Sequence, residues 1–227
     1  MTMDKHDLSD FDIRVLRTNT LSDEQLSNVL RLFDTSYRQA NHAYLKRSLD
    51  KLRYIALAMH KDALAGFAIG DAVSAKLPRL SDSQAVALAG ISCIAPEYRR
   101  RGLFFELEKA ACFESRILIP GLRFLKCGRM AHPVSFRVMR KDPSVIPKLG
   151  VPLSEWHKEI GLRVADIYGV SINPDTFVVI GDGKPVGFPI LEYEVTDEEW
   201  QLFDSVDRNR GDSLLAMSRT PDAPEGW

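Results

Sequence analysis

The stretch from Ile91 to Lys109, ISCIAPEYRRRGLFFELEK, constrains the fold more than any other part of the chain. A long apolar run stops at Pro96, which has no backbone donor with which to continue strand pairing. The chain then passes through Arg99, Arg100 and Arg101 and, after Gly102, becomes an amphipathic helix with Phe104, Leu107, Ala110 and Ala111 on one face. A strand, a tight basic turn and a helix N-terminus therefore follow one another. At such a junction several N–H groups have no partner within the helix and lie at the positive end of its dipole. Gly102 removes the Cβ that would keep a ligand from the backbone. The junction suits a phosphate or diphosphate.

The elements before the junction read in a clear order. Phe11 to Arg17 alternates as a half-buried strand does, and Ser22 with Gln25 forms a capping box before Leu26, Val29, Leu30, Phe33 and Tyr37 at helical spacing. Gln39 to Leu52 is a second, more polar helix after a bend. Tyr54–Met59 and Leu64–Ile69 make a hairpin about HKDA, and Ala72 to Asp82 reads as a loop. Ala85 to Ile94 is nearly all apolar, as a strand covered on both faces is. The order is strand, two helices, three strands, helix.

Beyond the junction, Leu122 to Cys127 is a strand that follows a crossover helix, so it should lie parallel to the one before. Pro133 opens a short helix to about Lys141. Asp142 to Pro152, with three prolines, is a loop, and Trp156, Ile160, Val164 and Ile167 form a helical stripe interrupted by Gly161. Asp175–Ile180 and Val186–Val195 read as a hairpin about GDGKP, whose spacing fits neither of the common glycine-rich phosphate loops. Thr196 and Glu199 cap a helix carrying Trp200, Phe203 and Val206. A last strand falls at Ser213 to Met217, and TPDAPEGW reads as disordered.

Charge points away from polyanions. With 30 Lys and Arg against 31 Asp and Glu, nothing global draws the chain to nucleic acid or a membrane surface, so any anion site must be local. Hydrophobic residues at 45% and charged residues at 27% are a globular balance. Cys93, Cys112 and Cys127 lack CxxC spacing and sit in apolar or structured runs, as reduced core thiols in a cytoplasmic protein do. The leader MTMDKHDLSDFD has no apolar core of a signal peptide, and no run is long enough to span a membrane. His6, His42, His60, His132 and His157 show no metal-ligand spacing, so no metal is expected.

PEYRRRGLF, between an apolar strand and an amphipathic helix, resembles the acyl-CoA-binding motif of the GNAT superfamily of N-acyltransferases, whose pattern is Arg or Gln, two residues, Gly, one residue, then Gly or Ala. Arg99 and Gly102 match, and Phe104 stands in the last place. The element order from Phe11 to Lys141 is similar to the family's as well. The resemblance implies an α/β fold with a mixed, mostly antiparallel central sheet flanked by helices: a core over residues 1–141, and a C-terminal α/β extension over 142–227 that completes or elaborates the same domain. It implies that the turn amides of Arg99, Arg100, Arg101, Gly102, Leu103 and Phe104 hold the diphosphate of acetyl-CoA or another acyl-CoA. The pantetheine arm would pair with backbone at Cys93 and Ile94. A primary amine of a small molecule or peptide then attacks the thioester directly, and an N–H near Ile94 polarises its carbonyl.

The leaving-group acid is the missing part. The family's tyrosine on the helix after the parallel strand corresponds to Met139 in Val138-Met139-Arg140-Lys141. His132, at the end of that strand, suits base or acid work, against the alternative of a helix-capping or surface histidine. Tyr37, His42 and Tyr44 lie at the bend between the first two helices, which lines the acceptor site in the family, and Tyr44 is the candidate taken from that group. The competing reading is that tyrosines there serve packing. Ser92 reads as a buried hydroxyl bonded to backbone. Two rivals stand beside the acyltransferase: a non-catalytic CoA-binding module, and an interaction protein whose C-terminal extension completes a homodimer.

Overall fold

A computed structural model of the chain describes residues 8–227. The first seven residues of the polar leader, His6 among them, lie outside the described residues.

The strands are β1 (Asp12–Arg17), β2 (Tyr37–Arg38), β3 (Tyr54–His60), β4 (Ala63–Lys76), β5 (Ser83–Ile94), β6 (Phe124–Met130), β7 (Val178–Val179), β8 (Phe188–Pro189) and β9 (Ser213–Thr220). The helices are α1 (Asp23–Ser36), α2 (His42–Lys51), α3 (Leu103–Phe113), α4 (Pro133–Arg140), α5 (Glu155–Tyr168) and α6 (Asp197–Gln201). Seven strands form one sheet in the order β1-β3-β4-β5-β6-β9-β7. β5 and β6 run parallel, as the crossover through α3 requires, while β1–β3, β3–β4, β6–β9 and β7–β9 are antiparallel. The expected mixed, mostly antiparallel α/β sheet is what forms.

The chain divides into two compact units. One comprises residues up to Asp71, Ala89–Ser115 and Phe188–Ile190; the other comprises Ala72–Leu88, Arg116–Gly187 and Leu191–Trp227.

In the first unit, a surface of small residues lets α3 lie close to the strands. Ala56, Ala58, Ala65 and Ala68 meet Leu103, Leu107 and Ala111, with Phe11 closing the cluster. The glycines of β4 belong to the same fit. A Cβ on Gly66 would stand 2.7 Å from Ile94 Cδ1, and one on Gly70 would stand 3.0 Å from Cys112 Sγ. The capping box predicted at Ser22 and Gln25 is present, and Asn41 caps α2 by accepting the Tyr44 N–H at 3.1 Å.

In the second unit β6 is paired along its whole length with β9, from Phe124↔Thr220 to Met130↔Leu214. α5 packs through Ile160, Gly161 and Val164. Gly161 is where the Phe177 ring enters: an added Cβ would stand 2.7 Å from Phe177 Cε1. The helix therefore needs glycine in mid-course despite its cost there.

Four expectations are corrected. The segments either side of GDGKP do not pair with each other: β7 joins β9, and β8 joins β2. The loop between them lies against Arg210 and Gly211, because the buried Asp212 carboxylate accepts the Gly181 N–H at 2.8 Å and the Gly183 N–H donates to the Arg210 carbonyl at 3.0 Å. β4 continues to Lys76, so part of the expected loop from Ala72 is strand. α6 ends at Gln201, and Phe203 is buried from the turn beyond it, edge-on to Phe136 at 6.3 Å. The tail is ordered by aromatic burial rather than by pattern: Trp227 packs on Trp156 and donates to the Ser144 carbonyl at 2.7 Å.

All three cysteines are buried free thiols. Among the described residues no helix is long and apolar enough to cross a membrane, and no cluster of three His, Cys, Asp or Glu stands as a metal site needs.

Candidate functional site

The junction sits in the first unit and is built as its residues dictate. β5 ends at Ile94, a 3-10 turn over Pro96–Tyr98 follows, and α3 begins at Leu103. Gly102 is the N-cap residue, in the left-handed conformation at φ 79°, and no side chain caps the helix. The Phe105 N–H turns back to the Gly102 carbonyl at 3.1 Å, which leaves the Leu103 and Phe104 amides of the first turn to a ligand or water. Arg100 is also left-handed, at φ 64°. Leu103 points into the core and is 1% exposed, whereas Phe104 is half-buried.

Two of the arginines turn their side chains to the protein. Arg99 donates from Nε to the Ile94 carbonyl at 3.1 Å and from Nη1 to the Ile190 carbonyl at 2.9 Å. Arg101 lies 3.5 Å from Asp10 Oδ2, with its guanidinium over the Phe11 ring at 4.8 Å. Tyr98, between them and β5, bonds to His60 Nδ1 at 3.0 Å. The ligand-facing chemistry of the turn is thus mainly backbone.

Ile190 reaches Arg99 because the β8 segment docks on the bend after α1. Its N–H donates to the Ser36 carbonyl at 2.8 Å, and Pro189 pairs with Tyr37. Tyr37, Cys93, Tyr44 and Arg99 are electrostatic neighbours here. Burial pushes the Cys93 thiol up to about 12, against the nearby Ser36 hydroxyl and the charge of Arg99, so it is no nucleophile at neutral pH. Burial raises the Tyr37 phenol too, reinforced by Cys93 and Tyr44, and keeps it a proton donor. Tyr44 carries the Arg47 guanidinium 5.7 Å over its ring, and His42 is held by Asp34 at 2.6 Å. The Ser92 hydroxyl is buried without a hydrogen-bond partner among the described residues, contrary to the expected backbone bond.

His132 belongs to the second unit. It is the N-cap of α4, its Nδ1 accepting the Val134 N–H at 3.3 Å, and its ring stands edge-on to Trp200 at 5.1 Å. Desolvation, with Arg208 and Arg137 nearby, lowers its pKa to about 4. The ring is neutral at pH 7. With Nδ1 accepting, the proton sits on Nε2, which then has no lone pair for base work. Met139 is buried in the core of α4.

Two features escaped sequence reasoning. The docking of Phe188–Ile190 on the bend has no local pattern. The inward turn of Arg99 is hidden in a triplet that reads as uniform charge. The half-burial of Tyr37 was marked by its place at the end of the apolar stripe of α1.

No family model and no curated protein sequence matches the chain. Among solved structures it is similar to the ribosomal-protein-S18-alanine N-acetyltransferase from Escherichia coli, at 11% identity and a TM-score of 0.44, over 95% of this chain and 99% of that one. It is similar to a putative acetyltransferase of the GNAT family from Desulfovibrio desulfuricans, at 12% identity and a TM-score of 0.40, over 92% and 98%. It is also similar to the aminoglycoside N-acetyltransferase AAC(6')-Iy in complex with CoA, at 19% identity and a TM-score of 0.39, over 57% and 88%. At such identities and scores these remain likenesses, and the fold is read from strand order and register.

Proposed function

We propose that the chain is an N-acyltransferase of the GNAT type that transfers an acyl group, acetyl in the first instance, from acyl-CoA to a primary amine of a small molecule or peptide. The observation that carries this reading is the uncapped start of α3 at a left-handed Gly102, straight after a strand. On this reading the amides from Arg100 to Phe104 hold the diphosphate, the expected Arg99 N–H being given instead to the Pro96 carbonyl at 3.3 Å, and the pantetheine arm pairs with backbone at Cys93 and Ile94.

The amine nitrogen attacks the thioester carbonyl and gives up its proton through a water or a side chain, the carbon–sulfur bond breaks, and the departing sulfur takes a proton. Tyr37, half-buried and protonated in the same unit as Cys93, is the donor on this reading, and His132, whose Nδ1 is committed to the cap, is not the base. Tyr44, its neighbour, would line the acceptor side. Residues 1–141 then form the cofactor-binding core, and residues 142–227 complete it by supplying β9. A cytoplasmic setting fits the three free thiols.

A second reading, a CoA-binding module without turnover, is favoured by the Arg99 bond to the Ile94 carbonyl and by Met139 at the place of the expected tyrosine. Calorimetric titration with CoA and acetyl-CoA, followed by thiol-trapping of CoA released in the presence of amine, amino-acid and peptide panels, tests both. Saturable binding with amine-dependent release supports the enzyme. Binding without release on any panel supports the module, and the absence of binding overturns both.

A further inference from the structure

The second unit holds a cavity of about 400 Å³ with no part in the acyl-transfer reading. It lies under the loop after α4, against the N-terminus of α5 and the C-terminal tail. Its walls are largely apolar, with Ile146, Val151, Leu153 and Trp227 among them. At roughly 30 Å³ per water it has the volume of about a dozen waters, enough for a small organic molecule.

What sets the cavity apart is a surplus of buried donors. Arg219 is fully buried on β9, and none of its three guanidinium nitrogens meets an acceptor among the described residues. The guanidinium carbon lies over the Trp227 ring at 5.2 Å, and Trp227 lines the cavity although Arg219 itself does not. His157 lines the cavity. Its Nδ1 accepts the Ser154 N–H at 3.3 Å, which places the proton on Nε2, and that atom too is buried without a partner. Its ring stands edge-on to Trp227 at 5.1 Å.

The acceptors at the wall are already engaged. Asp142 Oδ1 takes the Ser144 N–H at 2.9 Å and lies 2.7 Å from the Ser144 hydroxyl, and Asp222 is paired with Arg123 at 2.8 Å. Lys148 lines the cavity too, its Nζ donating to the Pro143 carbonyl, and Glu155 stands in the capped first turn of α5. A buried guanidinium resting on an aromatic face keeps a cation–π contact, which does not replace the acceptors that its desolvation calls for. Two kinds of donor, both beside one indole and both without an acceptor, describe a place for two oxygens.

We propose that this cavity binds an organic monocarboxylate with an apolar body, its carboxylate received by the Arg219 guanidinium and His157 Nε2 and its body by the apolar walls, with the Trp227 indole as the partition that gives way. A planar fork and one ring N–H match a carboxylate, whose two oxygens can accept in parallel. Inorganic phosphate would bring a larger charge into apolar walls that offer it nothing.

The test uses the full chain and three probes: octanoate, 1-octanol and inorganic phosphate, titrated by calorimetry and thermal shift. Octanoate should bind saturably at concentrations up to about 10 mM, and 1-octanol roughly tenfold or more weakly. Phosphate should not compete. Arg219→Met should weaken octanoate roughly tenfold or more, and His157→Leu roughly threefold or more. Failure of octanoate to bind, equal binding of 1-octanol, octanoate affinity unchanged in Arg219→Met, or Arg219-dependent binding of phosphate in place of octanoate would each overturn the proposal. Should Arg219→Met not fold, the octanoate–octanol contrast and His157→Leu decide. CoA binding is read separately, so this result and that of the acyltransferase reading do not depend on one another.

Discussion

Replacing Arg99 with alanine separates two roles that a basic turn beside a diphosphate site can have. If the guanidinium grips phosphate, its loss removes a charge-assisted contact worth about 2–3 kcal/mol, which is roughly a 30- to 150-fold rise in Kd for CoA. The geometry argues otherwise, because Nε and Nη1 are spent on the carbonyls of Ile94 and Ile190. The bond to Ile94 is partly buried and counts nearly in full. The bond to Ile190 is exposed and is discounted to a few tenths of a kcal/mol. The expected loss of stability is then about 1.5–2.5 kcal/mol, which lowers Tm by roughly 3–10 °C for a chain of this size. Once the amides of the turn hold the diphosphate, Kd for CoA should change less than about threefold. Thermal unfolding and calorimetric titration of Arg99→Ala give both numbers. A Tm within a degree of the parent together with a Kd raised thirtyfold or more would refute the reasoning.

Gly102→Val should act the opposite way on binding: a β-branched residue at φ 79° costs about 1–2 kcal/mol and sets side-chain bulk beside the first-turn amides, so CoA affinity should fall at least roughly tenfold by calorimetry. His132→Asn, which keeps a capping acceptor, should retain acyl transfer and stability, while His132→Ala should lose about 1 kcal/mol in urea denaturation. The depressed pKa of His132 adds a pH dependence: with the folded value near 4 and the unfolded value near 6.5, the neutral ring stabilises the fold above pH 6.5, and that contribution fades as pH falls toward 4. Discounted for its half-exposed position it amounts to about 1–2 kcal/mol, read as the difference between parent and His132→Asn in Tm against pH. Gly161→Ala should destabilise by a net of about 1–2 kcal/mol in urea, because overpacking against the buried Phe177 ring outweighs the gain in helix propensity.

The parts of the fold visible in sequence were those set by local rules. The Ser22 and Thr196 capping boxes and the tight turn that joins the strand ending at Ile94 to the helix after Gly102 all depend on a few adjacent residues, and all are present. The parallel placing of β6 followed from the handedness of a crossover. What pattern could not reach were pairings fixed across long separations. Val186 onward reads as a strand opposite Asp175–Ile180, yet Asp212 draws Gly181 away and leaves Phe188–Pro189 to pair with Tyr37–Arg38.

The same limit governs the candidate site. Three consecutive arginines look equivalent in a string, because nothing local says which guanidinium meets a carbonyl. Arg99 and Arg101 differ only by what the distant segments at Ile190 and Asp10 bring to them. Arg219 shows the converse: in RTPDAPEGW it reads as an ordinary polar residue at the end of a strand, yet it is fully buried, with Trp227 returning over its guanidinium. Local sequence can thus announce a backbone cradle, whose parts are neighbours in the chain. A side-chain site assembled from Arg219, His157 and Trp227 has no sequence signature, because each of those residues acquires its chemistry from the burial that the other two impose.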